Sequence, residues 1–405
     1  MSFPEARLSD LLSYPLRSGV TVAKDRRGSG IPMVNMGELF RYPRLGAVPM
    51  SLVEVDYSDF DRYLLRRGDL LFARRSLTLE GAGKCCLVIE ADSPTTWESS
   101  IIRARFDRAK VDPEFLYYYF LSPQGRLRIE SIVEQVAAAG IRVSDLANLM
   151  VACPPIDVQQ AVAEVLSALD RKIFANAQAV ATMEKLLHAR FAAYGFDRDV
   201  RNSEDAIRVD EVIEFNPKVP RPQVEEAVYV DMAALPTVDS ARVRRWTTRP
   251  PGGGARFTNG DTVMARITPC LENGKTAFVD FMEPGEVGIG STEFIVMRAR
   301  RGLPVHFPYM IARSPRFRAH AIMSMSGSSG RQRCQVDRLV SYLMPRPRTQ
   351  DLADLENHCG SAFALARRFD AESRTLATLR DTLLPQLITG KIRVKDATRV
   401  VEEAV

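Results

Sequence analysis

Two glycine–lysine segments of the sequence carry residue types that can bind phosphate. Residues 273–276 read Asn-Gly-Lys-Thr and end like a phosphate-binding loop, in which backbone N–H groups and a lysine surround the phosphates. That loop needs a glycine five residues before Gly274, and Pro269 stands there. The matching segment at residues 80–85 also lacks this glycine, and Cys85 replaces the hydroxyl residue. A nucleotide-handling enzyme is therefore the weaker interpretation of both segments.

Other catalytic arrangements are incomplete as well. A methyltransferase acting on a base amine would need an Asn/Asp-Pro-Pro-aromatic segment, but residues 216–218 read Asn-Pro-Lys. The four histidines, at positions 188, 306, 320 and 358, have no Cys, Asp or Glu at the spacing of a metal site. The sequence thus predicts no catalytic residue and no metal ligand, and a structural role for each histidine.

Two pairs of loops supply the donor-rich side chains that nucleic acids require. In each half of the chain one loop follows a strand and begins with arginine, at residues 74–78 and 266–269. A second loop, at residues 137–142 and 324–333, combines glycine or serine with arginine. Flexible loops with such donors can hydrogen-bond to phosphates along the DNA backbone and to base edges. For any single arginine, a place in a solvated turn is an equally good explanation. Because both loops recur, we predict DNA contacts from Arg74, Arg75, Ser76, Lys84, Gly140, Arg142, Arg266, Thr268, Lys275, Ser329, Arg331 and Arg333.

These loops belong to an internal repeat with an offset of about 192 residues. Six short anchors recur in the same order, which is improbable by chance, and each half therefore consists of a globular region followed by a long helix. The anchors pair Gly68-Asp69 with Gly260-Asp261, Ala73-Arg74 with Ala265-Arg266, Gly83-Lys84 with Gly274-Lys275, Ser122-Pro123 with Ser314-Pro315, Pro154 with Pro345, and Gln159 with Gln350.

Each globular region has the short strands and turns of a compact α+β domain. In the first half, residues 69–73, 85–89 and 99–106 are predicted strands, and residues 113–121 are a predicted helix with an aromatic face. The second half repeats this pattern. The corresponding segments are residues 262–265, 277–281, 293–297 and 306–313.

Long helical patterns follow both globular regions. Apolar residues recur at steps of three and four, which places them on one narrow stripe. Two such stripes predict an antiparallel coiled-coil pair within the chain. The second pattern is expected to end at Pro385, with Gly390 as a stop. The predicted seam consists of Val165, Leu169, Ile173, Val180, Leu187, Leu355, Ala362, Phe369, Leu376 and Leu379.

The predicted fold class is α+β, with two repeated domains separated by the antiparallel pair of long coiled-coil helices. A chain of 405 residues is too long for one ordinary core. The predicted domains are residues 1–153 and 206–344, the helices are residues 154–195 and 345–392, and residues 393–405 form a C-terminal tail.

The composition, with 46% apolar and 26% charged residues, is typical of a globular protein. No run of eighteen apolar residues exists, and residues 1–5 lack a signal pattern, so neither a membrane span nor export is expected. The six cysteines form no Cys-x-x-Cys motif, and reduced thiols in a cytoplasm fit best. The net charge of +5 is too mild to identify a partner.

Four segments of the chain form recognisable motifs. Residues 154–159 have the pattern Pro-Pro-x-x-x-Gln at the start of a long helix, and residues 68–74 read Gly-Asp-Leu-Leu-Phe-Ala-Arg. Residues 265–275 read Ala-Arg-Ile-Thr-Pro-Cys-Leu-Glu-Asn-Gly-Lys, and residues 383–392 have the pattern Leu-Leu-Pro-x-Leu-x-x-Gly-x-Ile. With these motifs the chain resembles one family, the DNA-specificity subunits of type I restriction-modification systems. The second proline pair is broken by Arg346, which leaves the start of the second helix open.

The resemblance implies a non-catalytic chain with two target-recognition domains, each reading half of a split site in the major groove of double-stranded DNA. The helix pair would act as a ruler and as the platform for methyltransferase subunits, two in number. S-adenosylmethionine would be bound by those subunits, and ATP with Mg²⁺ by a restriction and translocase subunit, so no cofactor is expected in this chain. The complex would be cytoplasmic, with no membrane partner.

Two interpretations from other classes remain. A stand-alone enzyme could use Lys84 or Lys275 for phosphoryl chemistry, which nucleotide binding by the isolated chain would reveal. A purely structural coiled-coil adaptor is the other alternative, but it does not explain two large repeated domains rich in strands.

Overall fold

The computed structural model describes residues 3–55, 61–135, 139–201, 203–237, 240–328 and 330–404. The chain divides into two compact units. The first unit combines Met1–Ile173 with Ser373–Val405, and the second is Phe174–Glu372. Both long helices are shared between the units by this division. The domain boundaries drawn from the sequence separate globular regions from helices instead, and they stay a prediction.

The first unit opens with a globular region rich in short strands. The strands are β1 (Glu5–Arg7), β2 (Leu12–Ser18), β3 (Arg27–Val34), β4 (Arg44–Leu45), β5 (Ser51–Val53), β6 (Leu70–Ala73), β7 (Arg75–Ser76), β8 (Cys85–Val88), β9 (Thr96–Trp97), β10 (Ile101–Phe106), β11 (Glu134–Gln135), β12 (Ala139–Gly140) and β13 (Met150–Ala152). The main sheet has the strand order β2-β10-β6-β8-β4, and smaller ladders join β5-β3-β9, β11-β12-β7 and β1-β13. The helices are α1 (Met36–Arg41), α2 (Pro113–Leu121), α3 (Pro123–Glu130) and α4 (Val143–Ala147), and the long helix α5 (Ile156–Ala193) follows.

The globular region of the second unit is also rich in short strands. The strands are β14 (Ala206–Arg208), β15 (Ile213–Phe215), β16 (Ala227–Val230), β17 (Thr247–Arg249), β18 (Ala255–Phe257), β19 (Thr262–Ala265), β20 (Thr276–Phe278), β21 (Gly288–Gly290), β22 (Phe294–Ala299), β23 (Met325–Ser326), β24 (Arg333–Cys334) and β25 (Leu343–Pro345). The main sheet has the order β15-β22-β19-β20 and a second sheet the order β17-β16-β21-β18, and two further ladders join β14-β25 and β23-β24. The helices are α6 (Phe307–Arg313), α7 (Pro315–Met323) and α8 (Val336–Leu339), followed by the long helix α9 (Thr349–Ile388) and by α10 (Val394–Ala404).

The recurring Gly-Asp motif builds the same ion pair in each unit. Arg105 on β10 donates to Asp69 through Nε and Nη2, both at 2.7 Å, so the pair joins β10 to the start of β6. Arg298 on β22 makes the equivalent bonds to Asp261 at 2.6 and 2.7 Å. Both carboxylates are buried. These pairs fix the strands that lead into the candidate loops.

The recurring Ser-Pro motif starts the short helices α3 and α7. The hydroxyl groups of Ser122 and Ser314 accept hydrogen bonds from the backbone N–H groups of Gly125 and Phe317, both at 3.2 Å. Each serine is thus an N-cap, and the proline after it occupies the first helical turn, where its missing N–H costs nothing.

The glutamine anchor acts in only one repeat. Gln159 is buried near the start of α5, where its Nε2 donates to the Pro154 carbonyl at 2.7 Å and its Oε1 accepts from Asp112 N at 2.8 Å. Gln350 is exposed and donates to Asp354 one turn further along α9. The second repeat therefore lacks this link between its long helix and its globular region.

Both long helices contribute to the core of each unit. In the first unit, Arg380 on α9 donates to Asp170 on α5 at 2.7 Å. In the second unit, Phe191 near the end of α5 shares a hydrophobic core with Leu355 near the start of α9. As α5 proceeds, its partners lie earlier on α9, so the helices run antiparallel within the units.

The stripe residues of the two helices are buried to different degrees. Leu166, Phe363 and Leu384 are buried although they lie outside the predicted seam. Leu169, Val180, Leu187, Leu355 and Leu376 of the predicted seam are buried, whereas Val165, Ile173, Ala362, Phe369 and Leu379 are half-buried.

The ends of α9 differ from the sequence-based expectation. The helix begins at Thr349. Pro345 is the last residue of β25, and Pro347 lacks the backbone N–H that a strand or helix hydrogen bond would need. It does not end at Pro385 but continues to Ile388. Gly390, with φ of 68°, then supplies the left-handed residue that stops it. Residues 393–405, expected as a tail, include a further helix, α10, and its Ala397 is buried in the hydrophobic core of the first unit.

We expect Leu169→Ala to lower the free energy of unfolding by about 2–5 kcal/mol, because it removes a buried side chain from the helix pair. Leu186→Ala, on the same helix but 55% exposed, is the control and should change it by less than about 0.5 kcal/mol. Chemical denaturation followed by circular dichroism measures both. Equal losses in the two variants would contradict the placement of Leu169.

Candidate nucleic-acid interface

In the first unit the two predicted loops lie side by side. Strand β7 pairs antiparallel with β12, so that Arg75 lies opposite Gly140 and Ser76 opposite Ala139. The N–H of Ile141 continues this ladder by donating to the Arg74 carbonyl at 3.0 Å. The loop that follows β6 is thus held against a segment much later in the chain.

The second unit repeats this construction. The N–H of Cys334 donates to the Arg266 carbonyl at 2.8 Å, and Ile267 forms an antiparallel bridge with Arg333. One residue further, Thr268 N donates to the Gln332 carbonyl at 3.1 Å. The loops named from their recurrence in sequence therefore come together in both units, and by equivalent backbone contacts.

Positive-φ glycines shape the loops where they return to the sheet. Gly83 and Gly274 have φ of 67° and 72°, a conformation that side chains rarely adopt. The lysine after each glycine accepts a backbone hydrogen bond. Ala73 N donates to the Lys84 carbonyl and Ala265 N to the Lys275 carbonyl, both at 2.9 Å. The Gly-Lys anchors thus close the loops rather than bind a ligand through their backbone.

The two anchor lysines point toward internal partners. Lys84 Nζ donates to the Phe40 carbonyl at 3.2 Å and lies over the ring of the same residue. Lys275 Nζ donates to the Met232 carbonyl at 2.8 Å. Both lysines are half-buried. These contacts favour a structural role, in which each ammonium group ties its loop to a neighbouring segment, and the predicted DNA contact of these lysines is tested by the Lys84 variant below.

These contacts also argue against a phosphate-binding loop. Such a loop leads from a strand into a helix, whose N–H groups face the phosphate. Here Lys84 and Lys275 lead into strands β8 and β20. Among the described residues, no group of three or more His, Cys, Asp or Glu side chains could hold a metal ion.

Some loop arginines form ion pairs within the protein, and others do not. Arg333 makes a two-pronged ion pair with Glu293, with Nη2 and Oε1 2.6 Å apart, and this pairing holds the pKa of Glu293 below its usual value. Arg142 pairs with Glu134 at 2.7 Å. Arg75 and Arg331 are exposed, and neither side chain has a hydrogen bond or ion pair within the described ranges. They are the most available donors of the two interfaces.

The other predicted contacts are partly enclosed. Arg74 and Arg266 are half-buried at the first position of their loops. The Ser76 hydroxyl accepts from Thr78 N at 3.2 Å, which shapes the turn after β7. Thr268 and Gly140 are half-buried within the ladders. Ser329 lies outside the described residues.

Replacing Lys84 with Met is expected to leave the salt dependence of DNA binding unchanged, because its ammonium group bonds within the protein. Arg331→Gln should lower the slope of log affinity against log salt concentration by about one, as expected when one arginine no longer neutralises a phosphate. Fluorescence anisotropy with duplex DNA at several salt concentrations measures both slopes. The same decrease in the two variants would place Lys84 at the DNA after all.

Further donors near the second interface did not stand out in the sequence. Asn216, Lys218 and Arg256 line one cavity together with Arg266. The sequence singled out residues 216–218 only as an incomplete methyltransferase motif. Strands distant along the chain bring these side chains together, so no local spacing marks them.

Residues 4–183 match the model of a family described as the type I restriction modification DNA specificity domain. This part of the chain is therefore similar to that domain family. The match covers the first globular region and most of α5, and it confirms the resemblance inferred from the motifs. None of the helices within the described residues is long and apolar enough to cross a membrane.

Two relatives carry the same kind of name. The chain is 25% identical over 202 residues to the type I restriction enzyme EcoEI specificity subunit of Escherichia coli, over 48% of this chain and 34% of that protein. It is 27% identical over 179 residues to the EcoKI specificity subunit of Escherichia coli strain K12, over 44% of this chain and 37% of that protein. The matches span about a third of the length of these relatives.

The fold of the whole chain is similar to that of a solved S subunit of a type I restriction-modification system, from M. genitalium. The TM-score is 0.58 at 15% sequence identity, over 96% of both chains. At this identity the likeness concerns the fold alone. It confirms the predicted class, an α+β fold with two repeated domains and a pair of long antiparallel helices.

Proposed function

We propose that this chain recognises a two-part sequence in double-stranded DNA, with each globular region reading one half. The paired loops are the observation that carries this proposal. Equivalent backbone contacts hold two arginine-bearing loops together in each unit, and Arg75 and Arg331 are exposed there, without internal partners among the described residues. Arginine is suited both to phosphates and to guanine edges in the major groove.

We further infer that the chain is a non-catalytic scaffold within a cytoplasmic type I restriction-modification complex. The family match over residues 4–183 and the names of the EcoEI and EcoKI relatives support this inference. Helices α5 and α9 would hold the half-sites at a fixed spacing and dock two methyltransferase subunits. A restriction and translocase subunit would complete the assembly. S-adenosylmethionine, ATP and Mg²⁺ are assigned to those partners, and no cofactor to this chain.

Co-expression with the neighbouring methyltransferase, followed by genome-wide mapping of methylated bases, tests the proposal. We expect one bipartite motif that appears only when this chain is present. A matched variant with Arg74, Arg75, Arg331 and Arg333 changed to Gln should form the same complex and lose the motif. Methylation or cleavage of DNA by the isolated chain, abolished by its own substitutions, would contradict the scaffold role.

A further inference from the structure

A cavity of about 440 Å³ lies in the second unit, and Arg266 forms part of its wall. The other polar side chains that line it are Asn216, Lys218, Arg256 and Thr292. Each of these five side chains carries a hydrogen-bond donor, and three carry a positive charge. Within the described part of the chain, its lining includes no carboxylate.

The donors of this cavity are not used up by internal bonds. Asn216 Oδ1 accepts from Val296 N at 3.0 Å, which leaves the amide N–H groups of Asn216 to donate elsewhere. The Nε of Arg266 is buried and has no hydrogen-bond partner among the described residues. Lys218 and Arg256 are exposed, and neither has an ion pair in the described ranges. The cavity therefore concentrates positive donors that are free to bind an acceptor.

An acidic neighbour of Arg266 is already engaged elsewhere. The backbone N–H of Arg266 donates to the Glu293 carbonyl at 2.9 Å, so the two residues are adjacent. The Glu293 carboxylate is bound by Arg333, with Nη2 and Oε1 2.6 Å apart. Arg333 balances most of the charge of that carboxylate, and Arg266 also contributes to the lowered pKa of Glu293.

We propose that this cavity binds a phosphate group. A phosphate has several oxygen acceptors, and the guanidinium fork of an arginine matches two of them. The volume is that of a small-molecule site, so the phosphate can belong to a DNA strand or to a free nucleotide. The DNA case rests on the proposed function, because Arg266 also opens the candidate DNA-binding loop.

The double variant Lys218→Gln/Arg256→Gln tests the DNA source, since both side chains are exposed and lie outside the paired loops. With duplex DNA carrying the mapped target, we expect the salt slope to fall by about one to two, and the affinity at 0.1 M salt to fall roughly tenfold or more. Arg301→Gln, an exposed arginine outside the cavity and the loops, is the control and should change neither.

Neutral methylphosphonate linkages, placed one at a time along the duplex, locate the phosphate concerned. At one or two positions the linkage should weaken binding of the wild-type chain and have no further effect on the double variant. Calorimetric titration of the DNA-free chain with inorganic phosphate, and separately with dAMP, tests the free source. Binding that is abolished in the double variant, with duplex affinity unchanged, would identify a free nucleotide as the occupant.

Equal behaviour of the double variant and the wild type in all of these titrations would overturn the phosphate cavity. The proposed function would survive that result if loop variants such as Arg331→Gln still weaken target binding. If instead the wild-type chain shows no preference for any duplex, the proposed function fails, and the dAMP titration still decides the cavity by itself.

Discussion

Asp69→Ala is expected to lower the free energy of unfolding by about 3–5 kcal/mol, because it leaves the Arg105 guanidinium in a largely buried position without its counter-charge. The carboxylate accepts from Nε and Nη2 of that arginine, and it also accepts from Arg66 N at 2.8 Å. Its removal therefore breaks both the ion pair and a turn. Chemical denaturation followed by circular dichroism measures the decrease.

Two further variants make this test specific. Asp69→Ala/Arg105→Met should be less destabilised than Asp69→Ala alone, since no uncompensated charge remains. Glu403→Ala removes an exposed pair with Arg399 on α10 and should cost less than about 0.5 kcal/mol. If the three variants are equally stable, the pair does not fix β6 and β10 as described.

The triple variant Arg266→Gln/Arg331→Gln/Arg333→Gln is expected to weaken target binding roughly a hundredfold at 0.1 M salt, because removing a phosphate-binding arginine weakens it about tenfold and Arg333 is already paired with Glu293. An arginine that reads a base should instead cost roughly 1–3 kcal/mol at a single target position. Anisotropy titrations against the target and against single-base variants separate these two effects.

The first unit offers a matched experiment. Arg74→Gln/Arg75→Gln/Arg142→Gln should affect only the other half of the target, because these residues lie in the first pair of loops. Each triple variant keeps the Gly-Lys anchors and the buried ion pairs, so its fold should be retained. Unchanged affinity, salt slope and specificity in both triple variants would mean that the loops are only solvated turns.

The anchors of the repeat were visible in the sequence, but their roles were not. Gly68-Asp69 and Gly260-Asp261 recur at the offset of the repeat, which predicted two equivalent regions. The partner of Asp69 is Arg105, 36 residues later on a different strand. Periodicity and local motifs carry no information on such a pairing, since it depends on the order of strands in the sheet.

The helical stripes predicted an antiparallel pair but underestimated its buried face. Leu166 and Phe363 are buried outside the predicted seam. A coiled-coil stripe assumes that one helix packs only against one partner, whereas a helix that also covers a globular core buries a wider face. Leu166 shares a hydrophobic core with Phe115 of α2, and Phe363 shares one with Tyr309 of α6. The globular regions therefore account for the additional burial.

The candidate loops were found through recurrence, which did not reveal the internal partners of their lysines. Lys84 and Lys275 recur as faithfully as Arg74 and Arg266, but their ammonium groups bond to backbone carbonyls. A recurring residue can maintain a fold as readily as it can bind a ligand. The direction of a side chain depends on the surrounding chain, here Phe40 and the segment around residue 232, which the local sequence does not specify.

The most direct test of two independent recognition domains is an exchange of one of them. Residues 1–150 would be replaced by the equivalent region of the EcoKI specificity subunit, and the chimera co-expressed with the neighbouring methyltransferase. Sequencing of methylated DNA then gives the motif of the chimera and of the parent chain. If each globular region reads its own half-site, one half-site should change while the other half-site and the spacing stay the same. A motif in which both half-sites change, or neither does, would contradict this expectation.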